Sequence, residues 1–82
     1  MQSEREAIGK IADTLKQLEE ELIEFATRVG YGMSRGNLNI PDGAKVVMGD
    51  FVNLTNSKIQ DIRIELRKIT RDEDLVKRIM GN

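Results

Sequence analysis

With 82 residues, 13 Lys plus Arg against 14 Asp plus Glu, and neither Cys nor His, the chain has room for one small domain of net charge -1. That composition excludes disulfide stapling, a Cys/His zinc site and the strong basicity of a general nucleic-acid binder. Domains this short commonly need a disulfide, a metal or oligomerisation to be robust, and oligomerisation is the aid left.

The first element announces itself at Ser3 and Glu6, an S-x-x-E capping box. Ile8, Ile11, Leu15, Leu18, Leu22, Phe25 and Val29 then follow at spacings of 3, 4, 3, 4, 3 and 4. A strand alternates every second residue, so this heptad seam predicts a helix over about residues 4–29, ended by Gly30 as its C-cap. Residues 30–43, GYGMSRGNLNIPDG, hold four Gly, two Asn and the only Pro, and read as a long loop with Leu38 and Ile40 pinning it to the helices.

Asn39 or Asp42 is expected to cap a second helix over about residues 44–69, with Pro41 beside its first turn. Its seam is Met48, Phe51, Thr55, Ile59, Ile62, Leu66 and Ile69, with one extra spacing of 4 beside an uncharged polar patch at Asn53, Thr55, Asn56 and Ser57. Val46, Val47, Val52, Leu54 and Ile64 lie off that seam and widen the apolar arc, which implies more than one packing neighbour. A second capping box, Thr70 and Glu73, precedes Leu75, Val76, Ile79 and Met80 and predicts a short helix over about residues 71–80 that must dock on something to persist.

The predicted fold is therefore all-α: a single helical domain over residues 1–82, in which two long helices form an antiparallel hairpin, a short C-terminal helix follows, and hairpins assemble into an oligomeric helical bundle. Two helices touch along one line, whereas four enclose a core, and each fully buried Leu, Ile, Phe or Val is worth about 1.5 to 3 kcal/mol. The self-association or partner surface is placed on helix two, at Val47, Phe51, Val52, Leu54, Thr55, Ile59, Ile62 and Leu66.

Charge suggests an orientation. Residues 1–29 carry four basic and seven acidic groups, residues 44–82 eight and six. Glu19, Glu20, Glu21 and Glu24 lie toward the loop and Arg63, Arg67, Lys68 and Arg71 toward the open end, so an antiparallel side-by-side pair of hairpins would bring opposite charges together.

Without His or Cys, and with carboxylates at positions expected to be exposed, no catalytic residue and no cofactor is assigned. Asp42 and Asp50 lack the dense oxygen spacing of a calcium loop, so no metal site is assigned. The loop offers the best ligand candidate, with Arg28, Tyr31, Arg35, Asn37, Asn39 and Lys45 around Gly-rich backbone and a helix N-terminus, a setting suited to an anionic small molecule or nucleotide. It lacks a P-loop's Gly-Lys-Ser/Thr. The basic cluster of Arg63, Arg67, Lys68, Arg71, Lys77 and Arg78 is diluted by Asp61, Glu65 and the acidic run 72–74, so duplex nucleic acid is not expected as a partner.

Three functional readings follow. The first is a non-catalytic oligomeric protein that binds another protein as an adaptor, inhibitor or regulator. The second is a viral-type sponge that sequesters a nucleotide signal in subunit-interface pockets built from Arg, Lys, Tyr and Asn. The third is a structural or assembly component. No apolar run is long enough to span a bilayer, and MQSEREAIGK opens on charges where a secretory signal would be apolar, so the expected location is the cytoplasm, of the host if the protein is viral.

Overall fold

A computed structural model describes residues 3–36 and 39–81. Helix is the only regular structure among these residues, in three elements: α1 (Glu4–Ser34), α2 (Asp42–Ile69) and α3 (Glu73–Ile79). Ser3 caps α1 as its sequence signature predicts, its hydroxyl accepting from the Glu6 N–H at 3.1 Å.

The helix does not stop at Gly30. It continues to Ser34, and Gly36, at φ +71°, takes the left-handed conformation instead. Glycine permits that conformation but does not demand it; a helical Gly costs about 1 kcal/mol. Here the four-residue spacing of Phe25, Val29 and Met33 continues the apolar face, and those side chains line a cleft with Met48 and Val52 of α2. Packing outweighs propensity, and the connection shrinks from the expected 30–43 to 35–41, within the usual range for packed helices. Ile40 is half-buried. Asn37 and Leu38 lie outside the described residues.

Neither Asn39 nor Asp42 caps α2. Pro41 holds the N-cap position in an extended conformation without a side-chain bond, its carbonyl accepting from the Lys45 N–H at 3.1 Å. Asp42 instead places a carboxylate in the first turn, where the helix dipole favours it.

At the other end the chain breaks at Thr70, which is extended, so α3 is a separate helix. Its cap is Asp72 in place of the expected Thr70: the carboxylate Oδ1 accepts from the N–H groups of Asp74 (2.9 Å) and Leu75 (3.3 Å), while Oδ2 meets Arg5 Nε at 3.1 Å. Asp outranks Thr as an N-cap, and the ion pair to α1 adds a tertiary reason.

Seven residues cannot hold a helix alone, and α3 persists because Leu75 and Ile79 are buried against Ile8 and Ala12 of α1, with Leu66 of α2 alongside. A second cluster of Leu15, Leu22 and Ile59, flanked by Val52 and Leu66, joins α1 to α2. Beyond it the Phe25 and Phe51 rings meet edge to face, centroids 5.6 Å apart.

The molecule measures 49 × 23 × 17 Å, with a radius of gyration of 16.4 Å. A compact chain of this length has about 12 Å. Its accessible surface is 6315 Å², against about 5,000 Å² for a folded monomer of this mass. The slab thus shows roughly 1,300 Å² more surface than its mass requires.

Two helical glycines have different surroundings. A Cβ on Gly49 would meet nothing within 4 Å, whereas one on Gly9 would lie 2.8 Å from Arg78 Nη1. Gly49→Ala should therefore stabilise by about 1 kcal/mol and raise the melting temperature by roughly 4 to 8 °C. Gly9→Ala should gain little, because it displaces the Arg78 guanidinium that donates to the Gly9 carbonyl (3.3 Å) and Asp13 (2.8 Å). Thermal unfolding of the two variants checks the contrast.

Candidate functional site

A heptad seam is two columns of side chains, each repeating every seven residues. In α1 they have opposite fates. Ile8, Leu15 and Leu22 are buried, but Ile11, Leu18 and Phe25 remain 45, 46 and 38 % exposed. A single neighbouring helix covers a narrow stripe, and the chain's own helices cover the first column only, α2 at Leu15 and Leu22 and α3 with Leu66 at Ile8.

On α2, Ile59 is buried and Val52 and Leu66 are half-buried, while Phe51, Ile62 and Ile69 are exposed. The uncovered strips share one side of the molecule. Phe25 touches Phe51, and a cleft of about 310 Å³ runs between Leu18, Phe25, Phe51 and Thr55 with Leu22 and Ile59 at its floor. Ile62 and Ile69, with Leu66, line a further hollow of about 360 Å³ along α2.

Of the interface residues predicted on α2, Ile59 is therefore placed in the chain's own core, with Val52 and Leu66 packed against it. Val47, Phe51, Leu54 and Ile62 are exposed and Thr55 is half-buried. The exposed α1 column, Ile11, Leu18 and Phe25, lies outside the surface predicted on helix two. The signal that it needs a second neighbour lies in its heptad spacing, since one partner helix cannot cover both columns.

Behind this face lies a buried polar group that the sequence placed on the surface. Arg63 is only 3 % exposed. Its Nη1 donates to Glu19 Oε2 at 2.7 Å and Gln60 Oε1 at 3.3 Å, and its Nη2 lies 3.4 Å from Glu19 Oε1. Gln60 donates in turn to Glu19 at 2.8 Å. Arg63 Nε and the Thr70 hydroxyl are buried without a hydrogen-bond partner among the described residues.

The Arg63 hydrogen bond is the main influence holding the Glu19 carboxyl below its ordinary value; desolvation opposes it, and Gln60 and the Arg63 charge add to it. Arg78 is spent on Asp13 and Lys68 on Glu65, so with Arg63 three of the six residues of the predicted basic cluster are engaged in separate pairs. Glu19 and Arg63 meeting within one chain also removes two charges from the predicted antiparallel pairing of hairpins.

The loop candidates are placed as follows. Arg28 pairs with Glu24. Tyr31, in the last turn of α1, and Arg35, its C-cap, lie together, the guanidinium 4.9 Å from the ring centroid. Lys45, 3.7 Å from Asp42, edges an apolar cleft of about 230 Å³ between α1 and α2. Asn39 is exposed, and Asn37 lies outside the described residues. Once α1 runs on to Ser34, Arg28 and Tyr31 belong to a regular helix surface and not to a Gly-rich loop. Among the described residues there is no group of three or more His, Cys, Asp or Glu able to hold a metal, and no helix is long and apolar enough to cross a membrane. Compared with protein-family models, curated proteins and solved structures, the chain matches none.

Removing one partner of the buried pair should cost unequal amounts. Glu19→Ala strands a buried guanidinium and should cost about 2 to 3 kcal/mol, while Arg63→Met leaves a carboxylate that water still reaches and should cost within about 1 kcal/mol. Because the folded-state pKa of Glu19 lies below its ordinary value of 4.5, its contribution is complete above that pH and is lost as pH falls through the lower folded value. Urea unfolding should show a stability gap between wild type and Glu19→Gln at neutral pH that closes as pH drops below 4.5.

Proposed function

We propose that the chain is a non-catalytic binding protein that works as a self-associated helical bundle. In this reading α1 and α2 form an antiparallel hairpin, hairpins associate through their uncovered sides, and the bundle engages another protein as an adaptor, inhibitor or regulator. The observation that carries the reading is the exposed column Ile11, Leu18 and Phe25, in heptad register on a helix whose other column is buried. Isolated exposed apolar residues are ordinary, but a seven-residue repeat of them beside Phe51, Ile62 and Ile69 makes a contiguous patch of the kind that marks an interaction site.

The area supports the same reading. A stable interface removes about 800 Å² from each partner, and obligate ones remove more. The roughly 1,300 Å² excess carried by this slab is enough for either class. The side-chain chemistry is that of binding: with no His or Cys in the chain, Glu19 is engaged by Arg63 and Gln60, and Asp72 is engaged as a helix cap.

Sedimentation equilibrium at micromolar concentration, with helicity followed by circular dichroism, tests the reading. A dimer or larger species is expected. A fully helical monomer across the range would contradict it.

A further inference from the structure

Resting on that self-associating reading, we infer that the face formed by Leu18, Phe25 and Ile11 of α1 with Phe51 and Ile62 of α2 is the seat of a second copy of this chain. The two copies are related by a twofold axis parallel to the helices, so that α1 of each lies along α2 of the other. The α1 strip repeats every seven residues, the α2 strip follows at spacings of 11 and 7 across its one extra spacing of 4, and the cleft between Leu18, Phe25, Phe51 and Thr55 offers an elongated hole for a partner's knobs. A twofold contact uses the same patch on both copies, which suits one continuous face better than scattered patches.

Charge selects the axis. Glu19 hydrogen-bonds Gln60, so Glu21, two residues further along α1, and Lys58, two residues back along α2, stand at one level of the molecule. Glu21 borders the cleft on the α1 side, and Lys58 lies exposed on α2 between Thr55 and Ile62. Neither forms an ion pair among the described residues; Glu21 only accepts from Gln17 at a long 3.5 Å. An axis parallel to the helices lays each Glu21 beside the partner's Lys58, giving two ion pairs flanking the apolar centre. An axis across the helices sets α1 on α1 instead and leaves both charges unmatched at that level.

The test compares Leu18→Glu, Ile62→Glu and Ile64→Glu. Leu18 and Ile62 are 46 and 44 % exposed in the single chain, so neither substitution puts a charge into its core. Ile64, 48 % exposed, points roughly 140° around α2 from buried Ile59 and serves as the control. By sedimentation equilibrium, Leu18→Glu and Ile62→Glu should each raise the dissociation constant by about thirtyfold or more, with Ile64→Glu little changed.

Should a face variant lose helicity, cross-linking decides, because the chain has no cysteine of its own. A Glu21→Cys chain mixed with a Lys58→Cys chain should be joined by a short bis-maleimide far more efficiently than either variant alone. Dissociation by Ile64→Glu but not by the face variants would overturn the assigned face while leaving self-association intact. Efficient cross-linking of Glu21→Cys with itself would overturn the axis. A monomeric wild type would remove the underlying reading as well.

Discussion

One geometric constraint governs this molecule: an amphipathic helix with two columns of apolar side chains needs more than one neighbour, and α1 has a second neighbour along only part of its length. Near its N-terminus α3 supplies one, covering Ile8 and Ala12 with Leu75 and Ile79. Farther along, Leu15 and Leu22 meet Ile59, and at both levels the column of Ile11, Leu18 and Phe25 is left to water. The elongated slab, its large surface and the proposed pairing of copies all follow from that shortfall.

The buried Arg63 shows a different balance of forces. Position 63 is one turn beyond Ile59, on the inward face of α2, where an apolar residue would be the simpler choice. The guanidinium reaches Glu19 across the helix interface and fixes which residues of α1 and α2 stand level, a specification that a featureless apolar contact does not provide. Its Nε stays unsatisfied, so the contact is better read as a device for register than as a large source of stability. Arg5 with Asp72 and Arg78 with Asp13 tie α3 to α1 in the same manner at more exposed positions, where each pair contributes little energy and mainly orientation.

What could be read from the residues divides along physical lines. Periodicity is a property of a whole face, so the helices, their amphipathic character and the need of a short α3 to dock were all legible. Helix ends are decided by competition between one or two residues and the surrounding packing; the Ser3 cap and the end of α2 at Ile69 were legible, but the end of α1 and the cap of α3 were not. Gly30 permits a stop that the Phe25, Val29 and Met33 contacts override, and Thr70 loses the cap to Asp72, which has Arg5 beside it. The loop candidates dispersed for the same reason, since a helix that continues to Ser34 leaves too little loop to gather them. Arg63 was misplaced because residue type was given more weight than position. Its spacing of four from Ile59 was the signal that it points inward.

If copies pair as proposed, folding and association are one process in this protein, because the surface proposed to complete the core belongs to another copy. The most direct measurement is the thermal unfolding midpoint, followed by circular dichroism at chain concentrations from about 1 to about 100 µM. A midpoint that rises steadily with concentration is predicted, since mass action stabilises a folded state that contains more than one chain. A midpoint independent of concentration over that range would mean that a single chain satisfies itself, and would contradict the account.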